Sequence, residues 1–167
     1  MTGSRRGPFA GVIAALCLAA AAACGDGGTS YEWETVEGVT YADTLDIDLA
    51  TFSKTTDYPP PVWYKDLVVG TGDSALVGDT LFTHYTGWLR DGTQFDSNVG
   101  EAPYKFYFWV SNVIGGWHLG MRGQLEGGTR KLVIPPDWAY GDRSAGPIYP
   151  GAVLIFEVTL DSIHHKP

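Results

Sequence analysis

The chain has 167 residues and a formal charge of −8, because 19 acidic residues oppose 11 lysines and arginines. No basic run lies outside the N-terminus, so the charge pattern argues against nucleic acid as a partner. Both cysteines, Cys17 and Cys24, lie in the N-terminal apolar stretch, which excludes an internal disulfide and a thiol nucleophile from the part of the chain that follows.

The N-terminus has the features of an export signal. Residues 1–23 combine a basic start, an apolar run of roughly 15 residues and small residues at the end, and this run is shorter than a membrane-spanning helix needs. The sequence AAACG, at 21–25, resembles a bacterial lipobox, although Ala21 stands where leucine is usual. We therefore expect an exported protein of the cell envelope that a lipid on Cys24 anchors to a membrane surface. The alternative is a plain signal peptide that is cut after Ala23 and leaves the cysteine unmodified.

A linker and an extension precede the main domain. Residues 25–32 are rich in glycine and acid and are predicted to form a flexible linker. In residues 33–61, apolar side chains partly alternate with polar ones, which predicts one irregular strand. The apolar members of this pattern are Tyr41, Leu45, Ile47, Leu49 and Phe52. We interpret the segment as an extension that lies against the domain, with a disordered spacer as the alternative. The predicted organisation is thus a lipid-attached linker and extension at 24–61 and a domain at 62–167.

The domain shows five strand-like segments and one helical segment. The strands are predicted at 62–70, 79–89, 104–110, 130–134 and 152–163. Asp91 and Gly92 give a turn signal after the second strand. The apolar spacing of residues 112–121 predicts one short helix with Asn112 as its N-cap. Because the connections are too short for βαβ units, the pattern indicates an α+β domain in which an antiparallel sheet packs on one helix.

No residue pattern indicates covalent or metal-assisted chemistry. The carboxylates of Asp91, Asp96 and Glu101 fit no hydrolase motif, and no serine lies in a nucleophile-elbow sequence. His84 lies within a predicted strand. Adjacent residues of a strand face opposite ways, so the histidine pair at 164–165 is not expected to chelate a metal. The sequence therefore predicts neither a metal site nor a cofactor.

Six short motifs occur in order along the domain. They are HYTG (84–87), FDS (95–97), VIGGW (113–117), LVIPP (132–136), AYG (139–141) and LIFEV (154–158). Together they make residues 62–163 resemble the macrolide-binding, FKBP-type peptidyl-prolyl cis-trans isomerases. The resemblance implies a bent antiparallel sheet of about five strands wrapped around one short α-helix. It also implies proline-containing polypeptides and macrolides as ligands.

The resemblance further implies a pocket and a role for each of its residues. Catalytic roles fall to Tyr85, Asp96, Ile114 and Tyr140, and substrate contacts to Phe95, Tyr104, Val113, Trp117, Ile148 and Phe156. In this arrangement Trp117 forms the floor, while the backbone N–H of Ile114 and the hydroxyl of Tyr140 donate to substrate carbonyls. Two features depart from the family pattern: Tyr104 stands where phenylalanine is usual, and the loops at 98–102 and 142–147 are shorter.

Rotation about an X–Pro bond makes and cuts no covalent bond, so an apolar aromatic pocket with a few hydrogen bonds suffices for catalysis. We expect Asp96 to accept a hydrogen bond that orients the Tyr85 hydroxyl and to interact with the rotating carbonyl carbon. The alternative role for Asp96 is to stabilise a turn. The expected function is an isomerase that assists the folding of exported proteins. The alternatives are a non-catalytic module that binds proline segments or unfolded chains, and an assembly subunit of the envelope.

Overall fold

The computed structural model describes residues 32–111 and 113–167. The predicted signal peptide, the lipidation residue Cys24 and the predicted helix cap Asn112 lie outside the described residues. Within the two described ranges, no helix is both long enough and apolar enough to cross a membrane.

The described part of the chain contains seven strands and one α-helix. In chain order they are β1 (Ser53–Lys54), β2 (Trp63–Val68), β3 (Thr80–Leu89), β4 (Gln94–Ser97), β5 (Tyr104–Tyr107), α1 (Gly115–Gly120), β6 (Thr129–Ile134) and β7 (Leu154–His164). The strands form one antiparallel sheet in the order β1-β2-β6-β7-β3-β4, and β5 also pairs with β3. The predicted antiparallel sheet with one short helix is confirmed, and the number of strands is seven rather than five.

The two additional strands are at or below the length at which periodicity can be detected. β1 has 2 residues, fewer than the roughly 4–8 that an alternating pattern needs, and β4 has 4, at the lower limit of that range. β4 forms because the predicted turn reverses the chain: Gly92 has a φ of +87°, and the Leu89 N–H donates to the Thr93 carbonyl at 2.9 Å. The resulting β3–β4 hairpin brings Phe95 and Asp96 beside β3.

The irregular strand predicted from the alternation in residues 33–61 is wrong. Residues 41–52 contain two 3₁₀ turns instead, at Asp43–Leu45 and Leu49–Thr51, and the two-residue β1 is the only part of the segment that joins the sheet. Asp46 reverses the chain after the first turn with left-handed angles of φ 49° and ψ 53°. The Asp48 side chain caps the second turn by accepting from the Ala50 N–H at 3.1 Å. Such local bonds compete with strand pairing, so the backbone of residues 43–51 does not join the sheet, although apolar side chains of these residues pack on it.

The extension covers one face of the sheet. Its buried side chains Val36, Leu45 and Phe52 form an apolar cluster with Trp63, Val133, Val153 and Ile155 of the sheet and the chain that leads into it. The buried ammonium of Lys131, in β6, donates to the Leu45 carbonyl at 2.7 Å and pairs with Glu157 at 3.0 Å. The described part of the extension therefore lies against the sheet through both apolar and polar contacts.

The helix packs on the opposite face. Successive residues of a strand point to opposite faces, and β6 shows this: Val133 faces the extension, whereas Leu132 and Ile134 belong to the cluster around α1. A Cβ at Gly116 would lie 2.3 Å from Ile134 Cγ2, and one at Gly120 would lie 2.7 Å from Leu132 Cδ2. These two glycines thus let the helix backbone approach β6 closely, which places the helix start over the sheet.

Candidate active site

A cavity of about 850 Å³ opens between the start of α1, the β3–β4 hairpin, β5 and the chain after β6. Its lining is mostly aromatic and aliphatic. The lining residues are Tyr85, Phe95, Asp96, Tyr104, Val113, Ile114, Gly115, Trp117, Ala139, Tyr140, Arg143 and Phe156. A concave site that combines aromatic side chains with several polar groups is typical of ligand-binding pockets.

The indole of Trp117 lies at the centre of this cavity. It is 4% exposed, and its ring centroid lies 5.0 Å from that of Tyr85, 5.5 Å from Phe156 and 6.2 Å from Tyr104. All three rings meet the indole edge-to-face, the arrangement that the charge distribution of aromatic rings favours. The rings therefore share one concavity with Trp117 as its floor.

A glycine in β3 makes room for two of the walls. A Cβ at Gly87 would lie 2.6 Å from Phe95 Cζ and 2.8 Å from Phe156 Cε1, which is closer than real side-chain contacts. The two phenylalanine rings pack at a centroid distance of 5.4 Å over this bare stretch of backbone. The close packing of Phe95 and Phe156 thus explains why β3 has a glycine at position 87.

Asp96 is held by a side chain and by the backbone. Its Oδ2 accepts from the Tyr85 hydroxyl at 2.7 Å, and its Oδ1 accepts from the Ser97 N–H at 2.9 Å. Burial raises the pKa of Tyr85 above its ordinary range, and the hydrogen bond and charge of Asp96 raise it further. Tyr85 is therefore a neutral donor at physiological pH, with its hydroxyl oriented toward the carboxylate.

Asn98 fixes the loop behind this pair. Its side chain is 8% exposed; Oδ1 accepts from the Tyr85 N–H at 2.7 Å, and Nδ2 donates to the carbonyls of Thr83 at 3.0 Å and Ala102 at 3.2 Å. The amide thus joins β3 to the loop after β4. This residue was not identified from the sequence, because its role depends on contacts with another strand.

The remaining polar groups lie at the rim. Ile114 is the N-cap position of α1, so the helix begins at Gly115 and is shorter than predicted. The Ile114 carbonyl accepts from the Trp117 N–H at 3.0 Å, and no described residue accepts a hydrogen bond from the Ile114 N–H. Tyr140 lines the cavity and is 38% exposed. The rim therefore offers one backbone donor and one hydroxyl donor.

Nine of the ten predicted pocket residues line this cavity, and Ile148 does not. Ile148 is 4% exposed and belongs to the core cluster, because its backbone bonds to Ala145 in a tight turn that directs the side chain inward. The lining also contains Gly115, Ala139 and Arg143, which were not predicted. Arg143 closely follows Tyr140 in sequence, and this proximity is the one signal that points to it.

The histidines take part in local contacts elsewhere. His84 pairs with Asp161 at 2.5 Å, and His165 pairs with Asp79 at 2.9 Å. His118 accepts from the Trp109 N–H through Nδ1 at 3.1 Å. In the part of the chain that the structure describes, no three His, Cys, Asp or Glu side chains are arranged to hold a metal ion.

Comparisons with known proteins agree on one family. The family model described as FKBP-type peptidyl-prolyl cis-trans isomerase matches residues 72–161. An "FK506-binding protein" of Neisseria meningitidis serogroup A is 45% identical over 102 residues, which cover 60% of this chain and 94% of the relative. "Peptidyl-prolyl cis-trans isomerase FKBP2" of Homo sapiens is 48% identical over 91 residues, which cover 53% of this chain and 64% of the relative.

Two crystal structures share the fold. FkpA from Escherichia coli superposes with a TM-score of 0.62 at 33% identity, over 70% of this chain and 53% of that one. AtFKBP13 superposes with a TM-score of 0.59 at 37% identity, over 67% of this chain and 99% of that one. The antiparallel sheet around a short helix is therefore a known architecture.

Proposed function

Because the chain belongs to the FKBP-type peptidyl-prolyl cis-trans isomerase family, we propose that it catalyses X–Pro rotation in polypeptides at the cavity around Trp117. Relatives that match it carry the name of this enzyme class. The observation that carries the proposal is the meeting of Tyr85, Tyr104 and Phe156 around one indole, with the Tyr85–Asp96 hydrogen bond at the edge.

The aromatic lining suits the energetics of the reaction. Rotation about the amide costs roughly 18–20 kcal/mol because it breaks resonance between nitrogen and carbonyl. The planar amide is polar, and the twisted one is less so. An apolar cavity therefore disfavours the planar ground state relative to the twisted transition state, while it also binds the proline ring. Each gain of ~1.4 kcal/mol in this difference speeds the reaction about tenfold.

Hydrogen bonds at the rim add to this difference. The Ile114 N–H donates to a carbonyl of the client chain, and the Tyr140 hydroxyl donates to a second one. Asp96, which the Tyr85 hydroxyl and the Ser97 N–H hold in place, interacts with the carbonyl carbon as it turns. Donors and charges that are already in position stabilise a transition state without reorganising. No covalent intermediate is needed.

We also propose that the clients are exported proteins. The basic and apolar N-terminus supports an export signal, and the cysteine at 24 supports a lipid anchor in the cell envelope. A mass of the mature protein that shows a diacylglyceryl group on Cys24 would support the anchor. A mass that fits unmodified cysteine would refute it.

The proposed activity is tested by NMR, which follows the cis-trans exchange of a short X–Pro peptide in the presence of the purified protein. The measurement is made with and without FK506, the compound after which several relatives are named. We expect catalysed exchange that FK506 suppresses. Peptide binding without any rate above buffer would instead support a non-catalytic binding module. In the same assay, Asp96→Ala tests the carboxylate of the cavity. Glu101→Ala is its control, because Glu101 is an exposed residue of the neighbouring loop that does not line the cavity.

A further inference from the structure

The chain between the 3₁₀ turn at Pro136–Trp138 and β7 has no helix or strand, yet it carries part of the cavity wall. We call residues 139–153 the strap. Its first half places Ala139, Tyr140 and Arg143 on the cavity. A segment without regular secondary structure needs other contacts to hold such side chains in place.

The main contact comes from the N-terminal extension. The carboxylate of Glu34 accepts from the Tyr149 hydroxyl at 2.7 Å and from the Val153 N–H at 2.8 Å. It also pairs with Arg90 Nε, at the end of β3, at 2.5 Å. One carboxylate therefore joins the extension, the second half of the strap and the β3–β4 turn.

A chain of backbone bonds leads from Glu34 to the cavity. The Glu34 N–H donates to the Gly151 carbonyl at 2.9 Å, and the Gly151 N–H donates to the Gly141 carbonyl at 2.7 Å. Gly141 directly follows Tyr140. The Trp33 side chain lies across both glycines, since a Cβ would lie 3.3 Å from it at Gly151 and 3.8 Å from it at Gly141. Two backbone hydrogen bonds thus connect the extension to Gly141, the residue that follows Tyr140.

Burial and charge show that this contact is strong. The Glu34 side chain is 10% exposed, whereas Glu37, on the same extension, is 57% exposed and pairs with Lys54, which is 46% exposed. The hydrogen bond to Glu34 raises the pKa of Arg90, so the guanidinium is charged. Hydrogen bonds from a charged donor are stronger than bonds between neutral groups. Loss of the carboxylate would leave the Val153 N–H and the guanidinium without this acceptor.

We propose that Glu34 is a positioning residue for the isomerase site: it fixes the strap and thereby the Tyr140 hydroxyl at the cavity rim. The inference rests on the proposed function and gives the extension a role in it. Glu34 itself does not line the cavity.

The test is a double-mutant cycle between Glu34→Ala and Tyr140→Phe, measured as kcat/KM for an X–Pro peptide. Glu34→Ala should lower kcat/KM about tenfold, because small displacements of a catalytic group are costly. In the Tyr140→Phe background the same change should alter kcat/KM by no more than about twofold. Glu37→Ala is the matched control and should leave the rate within about twofold of wild type. Tyr149→Phe, which removes a single hydroxyl, should act in the same direction as Glu34→Ala.

A second readout does not depend on activity. The amides of Gly151, which donates to the Gly141 carbonyl, and of Val153, which donates to Glu34, should exchange faster in Glu34→Ala than in wild type and at an unchanged rate in Glu37→Ala. If the wild-type protein has no isomerase activity, the proposed function fails, and the exchange rates still decide whether Glu34 fixes the strap. Equal losses of kcat/KM in both backgrounds, or unchanged exchange at Gly151, would overturn the inference.

Discussion

Replacement of Gly87 by alanine perturbs the cavity without removing any functional group. The added Cβ would lie 2.6 Å from Phe95 Cζ, 2.7 Å from Phe95 Cε2 and 2.8 Å from Phe156 Cε1. Carbon atoms pack at about 3.5–4.0 Å, so both rings must move by about 1 Å. Overpacking of this kind costs roughly 1–3 kcal/mol of stability. Because the two rings are walls of the cavity, we expect kcat/KM for an X–Pro peptide to fall roughly 10- to 100-fold.

The control is Gly123→Ala. Gly123 has a φ of +70° and nothing within 4 Å of its Cβ position, so alanine there strains the backbone without touching the cavity. Both variants should lose stability in urea unfolding, and only Gly87→Ala should lose activity in its folded state. A folded Gly87→Ala protein that keeps kcat/KM within about twofold of wild type would refute the argument that these rings form the catalytic walls.

Three further outcomes are expected. Asp96→Ala should lower kcat by about tenfold or more while the fold stays intact, because the carboxylate that holds the Tyr85 hydroxyl is lost; unchanged turnover would make Asp96 a turn residue only. Gly116→Ala should destabilise the protein by roughly 1–3 kcal/mol in urea unfolding, because its Cβ would lie 2.3 Å from Ile134. Burial lowers the pKa of His118 from its ordinary value of 6.5, so unfolding takes up a proton there and the free energy of unfolding should fall as the pH drops below 6.5. A His118→Gln variant should lose that part of the pH dependence, and an unaltered slope would contradict the assignment.

The main strands could be predicted from the sequence because each carries its own periodic signal. β3 alternates over 10 residues and β7 spans 11, so their hydrophobic patterns are long enough to detect. β4, with 4 residues, adopts a strand conformation because it pairs with β3. The segment around Asp46 has strand-like alternation, but a left-handed residue and a side-chain cap override it. Local hydrogen bonds thus determined the structure of this segment, for which the sequence pattern alone was ambiguous.

Most of the aromatic members of the candidate site could be predicted because they lie within short motifs. Trp117 and Phe156 belong to segments whose order alone indicates a family, and the structure places both on the cavity. Ile148 lies between motifs in a shortened loop, so its position could not be transferred and it packs in the core instead. Glu34 could not be identified, because its partner Val153 lies 119 residues away along the chain.

The most direct test of the account is an isotope-filtered NOE measurement on the protein in exchange with an X–Pro peptide. We expect contacts from the proline ring protons to the indole of Trp117 and to the rings of Tyr85 and Phe156, together with exchange between the cis and trans peptide signals. Proline contacts to another surface, or contacts at the indole without any exchange above the uncatalysed rate, would contradict the claim that this ring-lined cavity turns the peptide bond.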